Sequence, residues 1–114
     1  MRLELTLDVS DLSTASTFWQ AALNYTYDGE IEDQYVTLSG DGPKLTLQKV
    51  PETKLHKNRL HLDVYVPDVD AEIERLVGLG GSLVTPSANE QFGHRWFVLA
   101  DPDGNEFCVA HDGV

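Results

Sequence analysis

Basic residues are scarce in this sequence. Its 114 residues include 8 Lys and Arg against 19 Asp and Glu, a formal net charge of −11. A nucleic-acid partner needs a basic face that displaces counterions, so the balance argues against one, and against an anionic membrane surface. Cysteine is scarcer still. Cys108 stands alone, which excludes an internal disulfide and a cysteine-based zinc cluster and suits a reducing, cytoplasmic setting. No apolar run approaches the roughly 18 residues of a membrane helix. The opening MRLELTLDVS has charges inside its apolar stretch and no small-residue cleavage site, so it does not read as a signal peptide. There is no glycine-rich phosphate loop, no Ser-His-Asp signature and no paired-cysteine redox motif. What remains is ordinary for one soluble domain, with 41% apolar and 24% charged residues. The acidic excess reads either as a solvated surface or as a preference for a neutral or cationic small molecule.

The pattern along the chain is doubled. Residues 3–9 alternate strictly and predict a strand; Leu12, Ala15, Phe18, Trp19, Ala22 and Leu23 then mark one helical face, with Asp11 or Ser13 as N-cap and Asn24 as the stop. Short strands are expected over 25–29, 35–39 and 44–50, with a tight turn at Gly40 to Pro43. Residues 51–57 are polar and patternless and read as a linker. The order then restarts. Leu60 to Val66 alternates, and Asp68 caps a helix with Val69, Ile73, Leu76 and Val77 inward. Strands are expected over 82–85, 95–100 and 106–110, with a loop over 86–93 and a dense turn at Asp101 to Asn105. At an offset of 57 residues Leu3 meets Leu60, Leu5 meets Leu62, Val9 meets Val66 and Asp11 meets Asp68.

The expected fold class is therefore α+β: two tandem βαβββ modules, 1–50 and 58–114, forming a curved, cup-like mixed β-sheet with helices outside. Helices must cover the leucine-rich strand faces. The opposite faces carry Glu4, Thr6 and Asp8, then Thr46 and Gln48, in the first module. In the second they carry His61, Asp63 and Tyr65, then Glu106, Cys108 and Ala110. Such a polar, mostly acidic set is either a plain solvated face or the lining of a binding cleft. Trp96 is the tryptophan available for stacking on a ligand, since the helical phase of Trp19 sends it to the core.

Residues 59–71 (RLHLDVYVPDVDA), Leu79-Gly80-Gly81 and residues 96–109 (WFVLADPDGNEFCV) resemble the vicinal oxygen chelate superfamily, the glyoxalase, bleomycin-resistance and extradiol dioxygenase group. The resemblance covers the whole chain. It is weaker in the first half, where Leu23-Asn24-Tyr25 replaces the usual Leu-Gly-aromatic. It implies paired βαβββ modules, a homodimer or another pairing of modules, and, in the metal enzymes, one ligand from the first and last strand of each module. Those positions are Glu4, Gln48, His61 and Cys108. Gln48 and Cys108 depart from the carboxylates common there, so no cofactor is expected. Three readings stand. One is a protein that binds a small organic molecule without a metal, through Asp8, Gln48, Asp63, Tyr65, Trp96, Glu106 and Cys108. Another is metal-free acid–base catalysis by His61 with a carboxylate such as Glu4. The third is a metal-dependent lyase, isomerase or dioxygenase with Glu4 and His61 as ligands.

Overall fold

In a computed structural model the structure describes residues 4–51, 62–91 and 94–111, the side chains of Glu4, Gln91 and His94 excepted. The linker after Pro51, and His61, lie outside the described residues. The chain divides into two compact units, Met1–Thr53 and Lys54–Val114.

The first unit begins with β1 (Glu4–Val9), whose alternation turns Leu5, Leu7 and Val9 to one side and Thr6 and Asp8 to the other. Helix α1 (Leu12–Leu23) follows. Asp11 is its N-cap, accepting from the N–H of Thr14 at 2.9 Å, and Asn24 closes it in the left-handed region at φ 56°. Asp11 thus takes the cap position and Ser13 lies inside the helix. Then come β2 (Thr26–Ile31), β3 (Tyr35–Ser39) and β4 (Lys44–Lys49). The sheet order is β1-β4-β3-β2, with β1 parallel to β4 and the other pairs antiparallel. Ala15, Phe18, Trp19 and Ala22 of α1 are buried, as are Val36, Leu38, Leu45 and Leu47 of β3 and β4, the strands the helix packs on. Phe18 and Trp19 meet edge to face, centroids 5.2 Å apart.

The second unit repeats the plan with β5 (Leu62–Val66), α2 (Val69–Gly78), β6 (Ser82–Leu83), β7 (Asn89–Gln91), β8 (His94–Ala100) and β9 (Glu106–His111). Its order is β5-β9-β8-β6, with β5 parallel to β9 and β7 paired to β8. Asp68 caps α2 through the N–H of Ala71 at 3.0 Å, and the acids Asp70 and Glu72 occupy the first turn, where the helix dipole favours them.

Three expectations change. The loop over 86–93 contains β7, and β6 is shorter than 82–85, so the second sheet has five strands. Val77 is 45% exposed and does not face the core; Leu76 is the buried residue of α2. Strand β2 runs past Gly29 to Ile31 because a register shift between Tyr27 and Glu30 absorbs that glycine at φ 118°.

Two turns hold the ends of the sheets. Asp101 is buried; its Oδ1 accepts from the N–H of Asp103 at 2.9 Å and of Asn105 at 2.8 Å, and its Oδ2 accepts from Nδ2 of Asn105 at 3.2 Å. The Asp101 to Asn105 turn is therefore a self-satisfied brace between β8 and β9. The other turn joins β2 to β3. Glu32 and Asp33 sit at φ 50° and 53°, and the N–H of Gln34 donates to the carbonyl of Ile31 at 2.9 Å. Both residues are left-handed, which strains residues that have a Cβ, and Ile31 pairs with Tyr35, so the hairpin loop holds three residues, 32–34. Replacing the pair by the favoured residues, Glu32→Asn with Asp33→Gly, should raise unfolding stability by about 1 kcal/mol in urea titrations. An unchanged or lower midpoint would mean that the turn is not strained.

Candidate functional site

Strand register sorts the candidate side chains into rows on the face of each sheet that its helix leaves uncovered. In the first unit Asp8, Gln48 and Tyr35 form one row, Thr6, Thr46 and Thr37 the next, and Glu4 pairs with Lys44 in a third. Nε2 of Gln48 donates to the Tyr35 hydroxyl at 3.4 Å, so two neighbouring strands share a polar contact on this face. Lys44 brings a positive charge to this face. Its ammonium lies 3.3 Å from Asp28, whose Oδ2 also accepts from the Ser39 hydroxyl at 2.6 Å. The alternation Lys44, Thr46, Gln48 already carries that signal.

In the second unit Tyr65, Ala110, Trp96 and Asn89 form one row, Asp63, Cys108 and Val98 another, and Glu106, Ala100 and Ser82 a third. Tyr65 is 61% exposed, Trp96 and Cys108 are half-buried, and Asp63 is exposed. Trp96 thus shares a face with Asp63, Tyr65, Glu106 and Cys108. Arg95 points the other way, its guanidinium 5.5 Å from the centroid of the Phe97 ring. The nine named candidates therefore divide: Glu4 by its backbone, Asp8 and Gln48 on the first sheet; Asp63, Tyr65, Trp96, Glu106 and Cys108 on the second. His61 falls outside the described residues.

Two open hollows lie elsewhere, at equivalent places in the two repeats. One, of about 480 Å³, adjoins the start of α1 and is lined by Ser13, Ser16, Glu30 and Lys49 among others. The other, of about 440 Å³, adjoins the start of α2 between Asp68, Arg95 and His111. In both, the capping aspartate already satisfies a free N–H of the helix end, and Asp70 adds negative charge in the second.

The positions that correspond to family metal ligands do not make a fitting set for a hard divalent ion. Such an ion prefers carboxylate oxygen and imidazole, whereas two of the four positions hold the neutral amide of Gln48, already bonded to Tyr35, and the thiol of Cys108. Among the described residues no three His, Cys, Asp or Glu side chains come together.

The hydrogen bond from Ser39, reinforced by Lys44, holds the Asp28 carboxyl below its ordinary value of 3.8. A depressed carboxylate contributes stability above its unfolded value and loses it as pH falls through the folded one. Asp28→Asn should therefore be less stable than the parent at pH 7, and the gap should close in acid, as pH falls from the ordinary value through the depressed folded one. Chemical unfolding at pH 7 and in acid measures this; a gap independent of pH would contradict it.

The glyoxalase-like domain family matches residues 4–110. An uncharacterised protein of Mycobacterium bovis is 31% identical over 75 residues, which cover 65% of this chain and 49% of that protein, so the chain spans about half the length of the curated relative it matches. Among solved structures, the fosfomycin resistance protein FosX of Listeria monocytogenes aligns over 100% of this chain and 92% of its own, at 20% identity and a TM-score of 0.82. A lactoylglutathione lyase of Agrobacterium tumefaciens aligns over 98% and 93%, at 19% identity and a TM-score of 0.73. At these identities the structural likeness shows the fold. The match over nearly the whole chain places the protein in the glyoxalase-like domain family.

Proposed function

We propose that this protein binds a small organic molecule, neutral or cationic, on the helix-free sheet faces, in the acidic β-cup expected from the sequence and without a catalytic metal. The observation that carries the reading is the second sheet's uncovered face, where Tyr65 is 61% exposed in the same row as Trp96 and beside Asp63. A sheet face that serves only solvation has no use for two large aromatic side chains, which gain most when something apolar covers them. Acids beside them favour a ligand that is positive or that donates hydrogen bonds. A single cysteine, Cys108, on this face fits the reducing cytoplasm proposed as the protein's location.

A second reading, a metal-dependent lyase, isomerase or dioxygenase using Glu4 and His61, draws support from the structural likeness to a lactoylglutathione lyase. The donor chemistry of Gln48 and Cys108 weighs against it. Elemental analysis of protein purified without chelator or nickel resin separates the two. The first reading predicts no stoichiometric transition metal. One zinc, nickel, manganese or iron per chain, lost in His61→Ala, would establish the second. For the binding reading itself, His61→Ala combined with Asp63→Asn should weaken any ligand found by a thermal-shift screen, by tenfold or more. Unchanged affinity would move the site off these faces.

A further inference from the structure

Within the second sheet, the row of Tyr65, Ala110 and Trp96 places two aromatic side chains on strands β5 and β8, with β9 between them. Strands lie about 4.8 Å apart, so the two aromatic residues leave the sheet roughly 10 Å from each other. The residue between them is alanine, whose side chain rises one carbon above the sheet. Any larger residue would fill the gap. A flat group standing between two rings needs about 7 Å from ring to ring, because carbon atoms touch at about 3.5 Å. Slight inward lean of the side chains closes the difference. Asn89 lies beyond Trp96 in the same row, outside the slot.

The charge around the slot has one sign. Asp63 lies two residues along β5 from Tyr65, about 6.6 Å away along the strand, and Glu106 lies on the same face of β9. Arg95 is turned to the opposite face, toward Phe97. No basic side chain described on this face offsets the two acids.

We infer that Tyr65 and Trp96 form an aromatic clamp, floored by Ala110, for a planar heteroaromatic group that carries positive charge. The inference rests on the proposed binding role of this face and names its ligand class. Both rings stack on the flat group, and a cation between electron-rich faces gains attraction from each. Asp63 adds attraction at longer range, weakened by salt. The clamp also accounts for the exposure of Tyr65, which no neighbour in its own sheet covers.

The chain has two tryptophans, and Trp19 is only 1% exposed. Emission quenched by a ligand on this face therefore reports Trp96. Titration with N-methylquinolinium should quench that emission saturably, while tetraethylammonium, a cation without a flat face, should not. Tyr65→Ala and Ala110→Leu should each weaken N-methylquinolinium at least tenfold. Asp63→Asn should weaken it a few-fold and leave neutral quinoline unchanged. Should Ala110→Leu fail to fold, Tyr65→Ala decides alone, because an exposed tyrosine can be truncated without opening the core. Absence of saturable quenching, or binding unaffected by Tyr65→Ala, overturns the clamp. If a non-planar ligand nonetheless perturbs this face, the binding role survives and only the clamp falls; if no ligand of any shape does, both fall.

Discussion

Each unit of this protein depends on a helix lying on one face of its sheet. That contact assigns alternate residues of every strand to opposite roles, and the assignment reaches from the core to the candidate site. In the first unit the contact is strong: Phe18 and Trp19 are almost wholly buried with Leu38, Leu45 and Leu47. In the second unit α2 buries Leu76 alone, and the apolar bulk comes from Phe97, Leu99, Phe107 and Val109 of the sheet. The second helix thus contributes less to its core than the first. Because strands have a period of two, a one-residue slip in β1 or β5 would carry leucines and valines to the polar face and an acid into the core. The same constraint that builds the core therefore fixes which side chains are free to meet a ligand.

The acidic excess is managed locally. Asp11 and Asp68 cap the helices, Asp101 is consumed by three hydrogen bonds in its own turn, Glu72 is held by Arg75 at 2.6 Å, and Asp28 is held by Ser39 and Lys44. These acids have structural partners inside their own unit. Asp63 is different, since it stands exposed on the uncovered face beside Tyr65 and Cys108. The acids named here are thus of two kinds, those spent on turns, caps and ion pairs and one left on the face proposed to bind.

Much of this was legible in the residues. The alternation of β1, β3 and β4, the apolar stripe of α1 and both capping aspartates are local patterns, and local patterns survive folding when the core is built from them. Strand β7 was not legible, because Asn89 to Gln91 is polar and short and becomes a strand only through pairing with β8. Glu32 and Asp33 gave no sign of a left-handed turn, which sequence patterns associate with Asn and Gly. The exposure of Val77 was hidden because helical spacing places it near the apolar stripe, while only the narrow sheet beneath decides how wide that stripe must be. For the site, alternation placed each side chain on a face, but the row that sets Tyr65 and Trp96 on either side of Ala110 depends on strand order, which a linear pattern does not contain.

The central claim is that ligand recognition belongs to the faces the helices leave free. Backbone amide shifts recorded during titration with a hit from the thermal-shift screen test it most directly. The account predicts that the largest changes fall at Asp63, Tyr65, Trp96 and Cys108. Changes confined to the hollows at the helix starts, around Ser13 and Lys49 or around Asp68 and Arg95, would contradict it.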